Sequence, residues 1–196
     1  LSGTGVYALP VGRGKDYFSR ANRLTDAAIG GWKLGVAEVA YSGFPESLTG
    51  PGNNSNSYGN SRPNQYGPLK IVNRSNTHWF GTDPSAIPCT DPGRRSINGV
   101  PEPCAFGVPA NNAFGTSRNG AVRGPGFVNV DLSAFKDFHI INEQNVGFRF
   151  DAFNAFNIVS YGNPDIGITD SNFGNVSTQG VRSTERRLQF SARYSF

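Results

Sequence analysis

Gly12 to Lys15 reads GRGK, a glycine-rich turn that ends in a cation. A phosphate-cradling loop needs a longer glycine spacing and a Ser or Thr after the Lys. Neither is present, so the segment reads as a turn. Asp83, Asp91, Asp165 and Asp170 could ligate calcium through their carboxylates, but none falls in the spaced ligand pattern of an EF-hand, and solvated loop positions are expected for them. His78 and His139 have no triad-like context, and there is no paired carboxylate to act as acid and base. No catalytic residue, cofactor or metal site is therefore expected, and the chain is not read as an enzyme. Cys89 and Cys104 are the only cysteines. Without further Cys or His nearby they cannot complete a four-ligand zinc site, whereas a disulfide closes the intervening loop easily. Such a link contributes about 3 kcal/mol and belongs to an oxidising compartment.

The chain has 196 residues, with 25 Gly, 13 Pro and 15 Phe but few aliphatic residues. That composition suits short strands joined by long, polar, turn-rich loops rather than one densely packed core. Negative mean hydropathy does not exclude a transmembrane barrel, whose strands alternate apolar and polar positions. No apolar run reaches the length of a transmembrane helix. The net charge of +4 comes from 18 scattered Lys and Arg, not from a basic cluster, which argues against nucleic acid as a partner. The chain starts at Leu1, has no Met and shows no signal segment, so a preceding N-terminal part is expected.

The elements that must position these residues are strands. From Arg187 to Phe196, Leu188, Phe190, Ala192, Tyr194 and Phe196 alternate with Arg187, Gln189, Ser191, Arg193 and Ser195. This is a period of two without a fault. Gln144 to Phe156 repeats it, with Val146, Phe148, Phe150 and Ala152 opposite Asn145, Gly147, Arg149 and Asp151. Val128, Val130, Leu132 and Ala134 oppose Asn129, Asp131 and Ser133, and the turn at His139 to Glu143 is short enough for an antiparallel hairpin. Lys136 falls on the apolar side. There it would cost about 2–4 kcal/mol at mid-bilayer, and its place near the turn lets it reach the interface. Two less regular strands are expected at Gly5 to Leu9 and Trp32 to Phe44, the latter with Glu38 in its middle, and a helical turn around Asp26 to Ile29.

The connections are unequal. Residues 45–123 form one long excursion and residues 157–186 a second. Such loops are unusual in compact domains but expected on the outer side of membrane barrels, with short turns facing the periplasm. With a periplasmic C-terminus, both excursions fall outside and the His139 to Glu143 turn falls inside. About five strands cannot close a membrane barrel, so an all-β, antiparallel, incomplete barrel segment is expected. Its lipid face would carry Val128, Val130, Leu132, Phe148, Phe150, Leu188 and Phe190, and its lumen face Asp131, Arg149, Asp151 and Arg193. Arg149, Asp131 and Arg193 are expected to pair with opposite charges across neighbouring strands or to hold a plug. The aromatic loop residues Tyr58, Tyr66, Trp79 and Phe80 could contact a ligand or pack the loop.

The segments YALPVGRGKDY, GGWKLG, SGFP, WFGTDPSAI, RNGAVRGPGFVNVDLSAFKDF, FRFDAFNAFN and ERRLQFSARYSF follow one another over nearly the whole chain. In order and spacing this series resembles the C-terminal part of TonB-dependent transporters of the Oar-like, carboxypeptidase-regulatory-domain type. The resemblance implies a 22-stranded barrel enclosing a plug and driven through a periplasmic TonB complex, with residues 1–196 as the C-terminal part of that barrel. The TonB-binding box and the plug are absent from this sequence. It also implies that Tyr194 and Phe196 belong to the signal read by the barrel-assembly machinery. The expected partners are therefore outer-membrane lipid, the remaining strands and plug, the TonB complex and the assembly machinery. The expected location is the bacterial outer membrane. The alternative is a cell-surface or secreted β-sheet protein acting in self-assembly or adhesion.

Overall fold

The computed structural model describes residues 1–51, 61–140, 143–176 and 185–196. They fall into two compact units, a sheet unit and an excursion unit. Among the described residues no helix is long and apolar enough to cross a membrane.

The sheet unit contains five antiparallel strands, β1 (Ser2–Ala8), β2 (Lys33–Tyr41), β3 (Phe127–His139), β4 (Asn145–Phe153) and β5 (Arg187–Ser195). Each strand pairs with its neighbours in the sequence, giving the order β1-β2-β3-β4-β5 in an open sheet. The strands are close to those read from the period-two pattern, with edges displaced by local chemistry. β2 stops at Tyr41, which pairs with Phe127 and stacks on its ring at 5.1 Å. β4 stops at Phe153 because Asn154 and Asn157 adopt positive φ of 48° and 53°, which Asn tolerates better than most residues and which ends the ladder. β1 begins earlier than expected, at Ser2, and β3 runs through Lys136 and Phe138 to His139.

Register decides the faces. Leu34↔Ala134, Val36↔Leu132 and Glu38↔Val130 link β2 to β3, while Phe148↔Lys136, Phe150↔Ala134 and Phe150↔Phe190 carry the same face across to β5. Paired residues in an antiparallel ladder point the same way, so one face is apolar throughout apart from Glu38 and Lys136. The connections from β2 to β3 and from β4 to β5 leave one end of the sheet. The β1–β2 and β3–β4 connections and the C-terminus lie at the other. Residues 141 and 142 of the β3–β4 turn lie outside the described residues.

The excursion unit comprises Ser42–Gly126 and Ser160–Arg182. The sequence led us to expect an irregular loop here; instead, the described residues have a core of Leu48, Phe80, Ala86, Ala105, Phe106, Val108, Val122 and Ile168. Two-residue ladders hold it together: Pro45–Glu46 with Val122–Arg123, Asn64–Gln65 with Phe106–Gly107, and Ser96–Ile97 with Val100–Pro101. Low aliphatic content concealed this core because a few large side chains fill it and close backbone approaches supply the rest. Gly115, for example, lies so tightly against the Arg62 carbonyl that no Cβ fits. The Cys89–Cys104 disulfide, with Cα atoms 5.8 Å apart, staples the core where Cys89 also bridges Gly107.

Cys89→Ser/Cys104→Ser is expected to destabilise this unit by about 3 kcal/mol. Urea unfolding followed by Trp79 fluorescence, in a Trp32→Phe background, would show the earlier midpoint.

Candidate functional site

The polar face of the sheet holds the charged residues singled out in the sequence. Asp131, Arg149, Asp151 and Arg193 all lie on it, because their ladder partners are Ala37, Phe135, Ser133 and Gly147. The charges do not pair across strands as expected. Arg149 Nε instead donates to both carboxylate oxygens of Asp151, at 2.8 and 2.9 Å, two residues along its own strand. The cross-strand position opposite Arg149 is taken by Phe135, whose ring lies 5.8 Å from the guanidinium. Same-face neighbours on one strand are about 7 Å apart, a span that a long Arg side chain covers easily. Asp151 is buried and Arg149 is more open.

Asp131 has a backbone role. Its Oδ1 accepts from the Asn154 amide at 2.8 Å and from Asn129 Nδ2 at 2.9 Å, which pins the turn that ends β4. Beside it a shallow depression of about 570 Å³ is lined by Thr4, Gly35, Ser133, Phe135 and Arg149, among others. A second, of about 370 Å³, lies between Asp137, Arg149 and Arg193. These are open hollows in a polar wall.

On the apolar face, Val128, Leu132, Phe150, Leu188 and Phe190 are all more than a third exposed, and Val130 and Phe148 are half-buried. Aromatic rings gather toward the short-turn end. Phe138 meets Phe148 edge-on at 5.6 Å, Phe148 stacks near Phe190 at 5.9 Å, and Tyr194 stacks on Phe196 at 5.7 Å. Tyr7 of β1 shares that face and end, opposite Leu34.

Lys136 departs from its expected course. It does not extend to the surface but is buried on the apolar face, 4.5 Å from the Phe138 ring. Its Nζ donates to the Ala27 carbonyl and, at 3.4 Å, to that of Asp26. Both belong to helix α1 (Arg23–Ile29), which is capped by the Asn22 side chain at its start and has no basic residue of its own in the last turn. Lys136 supplies that cation from another strand, at the carbonyl end where the helix dipole favours it.

The other candidates have structural roles. In the GRGK turn, the Gly12, Gly14 and Lys15 amides are used by Tyr17, Ser19 and Gly12 carbonyls, and Arg13 N by Asp26 Oδ1, so no cradle of free amides remains. Gly12 has φ of 124°, and a Cβ there would meet Gly30 Cα at 2.8 Å, which explains the glycine. Asp83 caps a single 3-10 turn by accepting from the Ser85 amide at 2.9 Å, and that bond holds its carboxyl below the ordinary carboxylate pKa. Asp91 pairs with Arg95 at 3.0 Å, and Asp165 accepts from the Gly167 amide. Among the described residues, the one cluster at metal-ligand spacing is Cys89, Glu102 and Cys104, whose sulfurs are consumed by the disulfide. His78 bonds Thr77, and His139 bonds Asn145.

Tyr66, Trp79 and Phe80 pack the excursion. Phe80 is in the core, Trp79 Nε1 donates to the Arg123 carbonyl at 2.7 Å, and Tyr66 lies under Arg94. Tyr58 lies outside the described residues. A small apolar hollow of about 290 Å³ lies between His78, Phe80, Ile87, Pro88 and Phe173. Sequence reading missed the stacking of Arg74 on Trp79 at 4.4 Å, for which the only sequence signal is their spacing of five residues.

Asp131→Ala should destabilise the sheet by about 1.5–3 kcal/mol, since it strands a backbone amide bonded to a charged acceptor. Asp137→Ala, on the same face but exposed, should have little effect, and chemical denaturation of the two variants side by side measures the difference.

No curated protein and no solved structure matches this chain. A family model described as an outer membrane beta barrel domain matches residues 1–189, nearly the full length, and ends just after the start of β5. Its strands, faces and open sheet fit that description, and the chain belongs to the outer membrane beta barrel domain family, as an incomplete barrel located in the bacterial outer membrane.

Proposed function

We propose that this chain is wall, not catalyst: part of a TonB-dependent outer-membrane receptor that takes a substrate across the outer membrane. The observation that carries the reading is the division of the sheet into two faces. Strands of nine residues have the length that a tilted barrel strand needs to cross the apolar thickness of a bilayer. An uncovered apolar face then meets lipid, and the opposite face, with Arg149, Asp151, Asp131 and Arg193, lines the lumen. The aromatic rows at the short-turn end suit an interfacial girdle. Both long excursions leave the opposite end, which in this reading is extracellular.

The TonB-dependent character rests on the resemblance of the motif series from YALPVGRGKDY to ERRLQFSARYSF. In this reading the remaining strands close the barrel, a plug fills it, the TonB complex acts through the N-terminal part, and Tyr194 and Phe196 present the end of the last strand to the assembly machinery.

Phe150→Arg, at mid-strand on the apolar face, should lower the folding free energy in bilayers by about 2–4 kcal/mol. Gln189→Arg, on the polar face, should stay within about 0.5 kcal/mol. Equal penalties at both positions would reverse or abolish the assignment of faces. For the coupling, outer membranes should contain a heat-modifiable band far above 21.0 kDa that carries this sequence and cross-links to TonB in cells. A soluble or secreted band near that mass would replace transport with self-assembly or adhesion.

A further inference from the structure

The β1–β2 connection, residues 9–32, is more elaborate than a turn between adjacent strands requires. It is an ordered platform. Leu9 N bonds the Trp32 carbonyl, Gly12 N bonds that of Tyr17, Arg13 N is tied to Asp26, and Trp32 Nε1 donates to Ala28. Its helix is held to the apolar side of the sheet, because Lys136, which caps α1, shares its face with Ala134 and Phe138.

What the platform displays is unusual for a surface in water. Tyr17 is 63% exposed, Phe18 67% and Leu24 84%. Phe18 has φ of 60°, a conformation that costs a bulky L-residue about 1 kcal/mol or more and is kept only where the surroundings impose it. Four cations, Arg13, Lys15, Arg20 and Arg23, accompany these side chains against Asp16 and Asp26, a surplus of two positive charges out of the chain's net four. Of the two carboxylates, Asp26 is occupied inside by the Arg13 amide.

We propose that residues 9–32 form an interfacial foot that inserts Tyr17, Phe18 and Leu24 among the lipids of the periplasmic leaflet and binds the phosphates of anionic phospholipid headgroups through Arg20, Arg23 and their neighbours. The inference rests on the reading that the apolar face meets lipid and that the short-turn end is periplasmic. The occupant follows from continuity: the apolar face of β3 passes through Phe138 and Lys136 onto the platform, so the lipid that covers Phe150 also reaches α1. Aromatic and aliphatic side chains beside Arg and Lys are the composition of interfacial segments, and each cation near an anionic surface favours binding by about fivefold. A protein partner would not need the platform to be fastened to the lipid-facing side of the wall.

The test uses the whole protein that contains this chain, with its barrel closed, in nanodiscs either of phosphatidylcholine or of equal parts phosphatidylcholine and phosphatidylglycerol, with an environment-sensitive fluorophore on Phe18→Cys or Leu24→Cys. The disulfide leaves no free cysteine among the described residues to compete. Phe150→Cys serves as the reference for the barrel itself. Lipids brominated in their acyl chains are expected to quench the label at all three positions, and at Phe18 and Leu24 more strongly when phosphatidylglycerol carries the bromine. Arg20→Gln/Arg23→Gln should reduce that headgroup preference by about fivefold for each cation removed. Quenching at Phe150 with a water-exposed label at Phe18 and Leu24 overturns the foot and leaves the barrel reading intact. Quenching at none of the three overturns the lipid-facing reading as well. Labels at Phe18 and Leu24 that are shielded from water but not quenched, or quenched equally by both headgroups, assign the patch to a protein partner or to unspecific insertion and overturn the proposal.

Discussion

The antiparallel register of β3 with both of its neighbours is the constraint on which the rest of the sheet unit depends. β3 is the longest strand, and it is joined to β2 by the long excursion and to β4 by a short turn. A slip of one residue on either side would turn Leu132, Ala134 and Phe138 to the polar face and drive Asp131, Ser133 and Asp137 into the apolar one. Such a slip is opposed locally. The Asp131 carboxylate grips the Asn154 amide, and Lys136 must meet the carbonyl end of α1. Both anchors belong to β3, one in each half, so the strand is fixed in translation as well as in facing.

The two units satisfy their backbone groups by different means. In the sheet unit every interior strand is laddered on both sides, while β1 and β5 are the terminal strands of an open sheet. Open edges cannot persist in hydrocarbon, where unpaired amides cost several kcal/mol each, and this is why the sheet is part of a barrel. Among its described residues the excursion unit has only two-residue ladders and single bridges, so its order rests largely on side chains: a small core around Phe80 and Phe106, the Cys89–Cys104 link and the Trp79 bond to Arg123. A covalent staple has its greatest value where a core is small.

What could be read from the sequence follows from the same difference. Alternation in Arg187 to Phe196 and in Val146 to Ala152 is a local signal repeated by the chain itself, so both faces of β4 and β5 were legible residue by residue. The disulfide was legible because two cysteines in one loop have few other uses. The excursion core was not, since Leu48, Phe80, Val122 and Ile168 are far apart in sequence and show no period that would announce their contact. The partner of Arg149 was misjudged for a related reason: pattern gives the face but not which same-face neighbour a long side chain will choose, and Phe135, not a carboxylate, turned out to lie opposite. Phe18 carries no sequence signal of its positive φ.

Lys136 shows how one contact joins these levels. On alternation alone it is an error, a cation on an apolar face, and an isolated ammonium there would be expelled or neutralised. The adjacent helix is also incomplete by itself: α1 ends with unsatisfied carbonyls, only some of them met by Gly30 N and Trp32 Nε1, and with no cation of its own. Each defect removes the other. The lysine obtains two carbonyl acceptors and the negative end of a helix dipole, with the Phe138 ring as a further neighbour, and the helix obtains its C-terminal charge. Replacing Lys136 with an apolar residue would improve the alternation of β3 and at the same time release α1 from the sheet. A residue that looks like a fault in the strand pattern is therefore the link that gives the β1–β2 connection a fixed place on the wall.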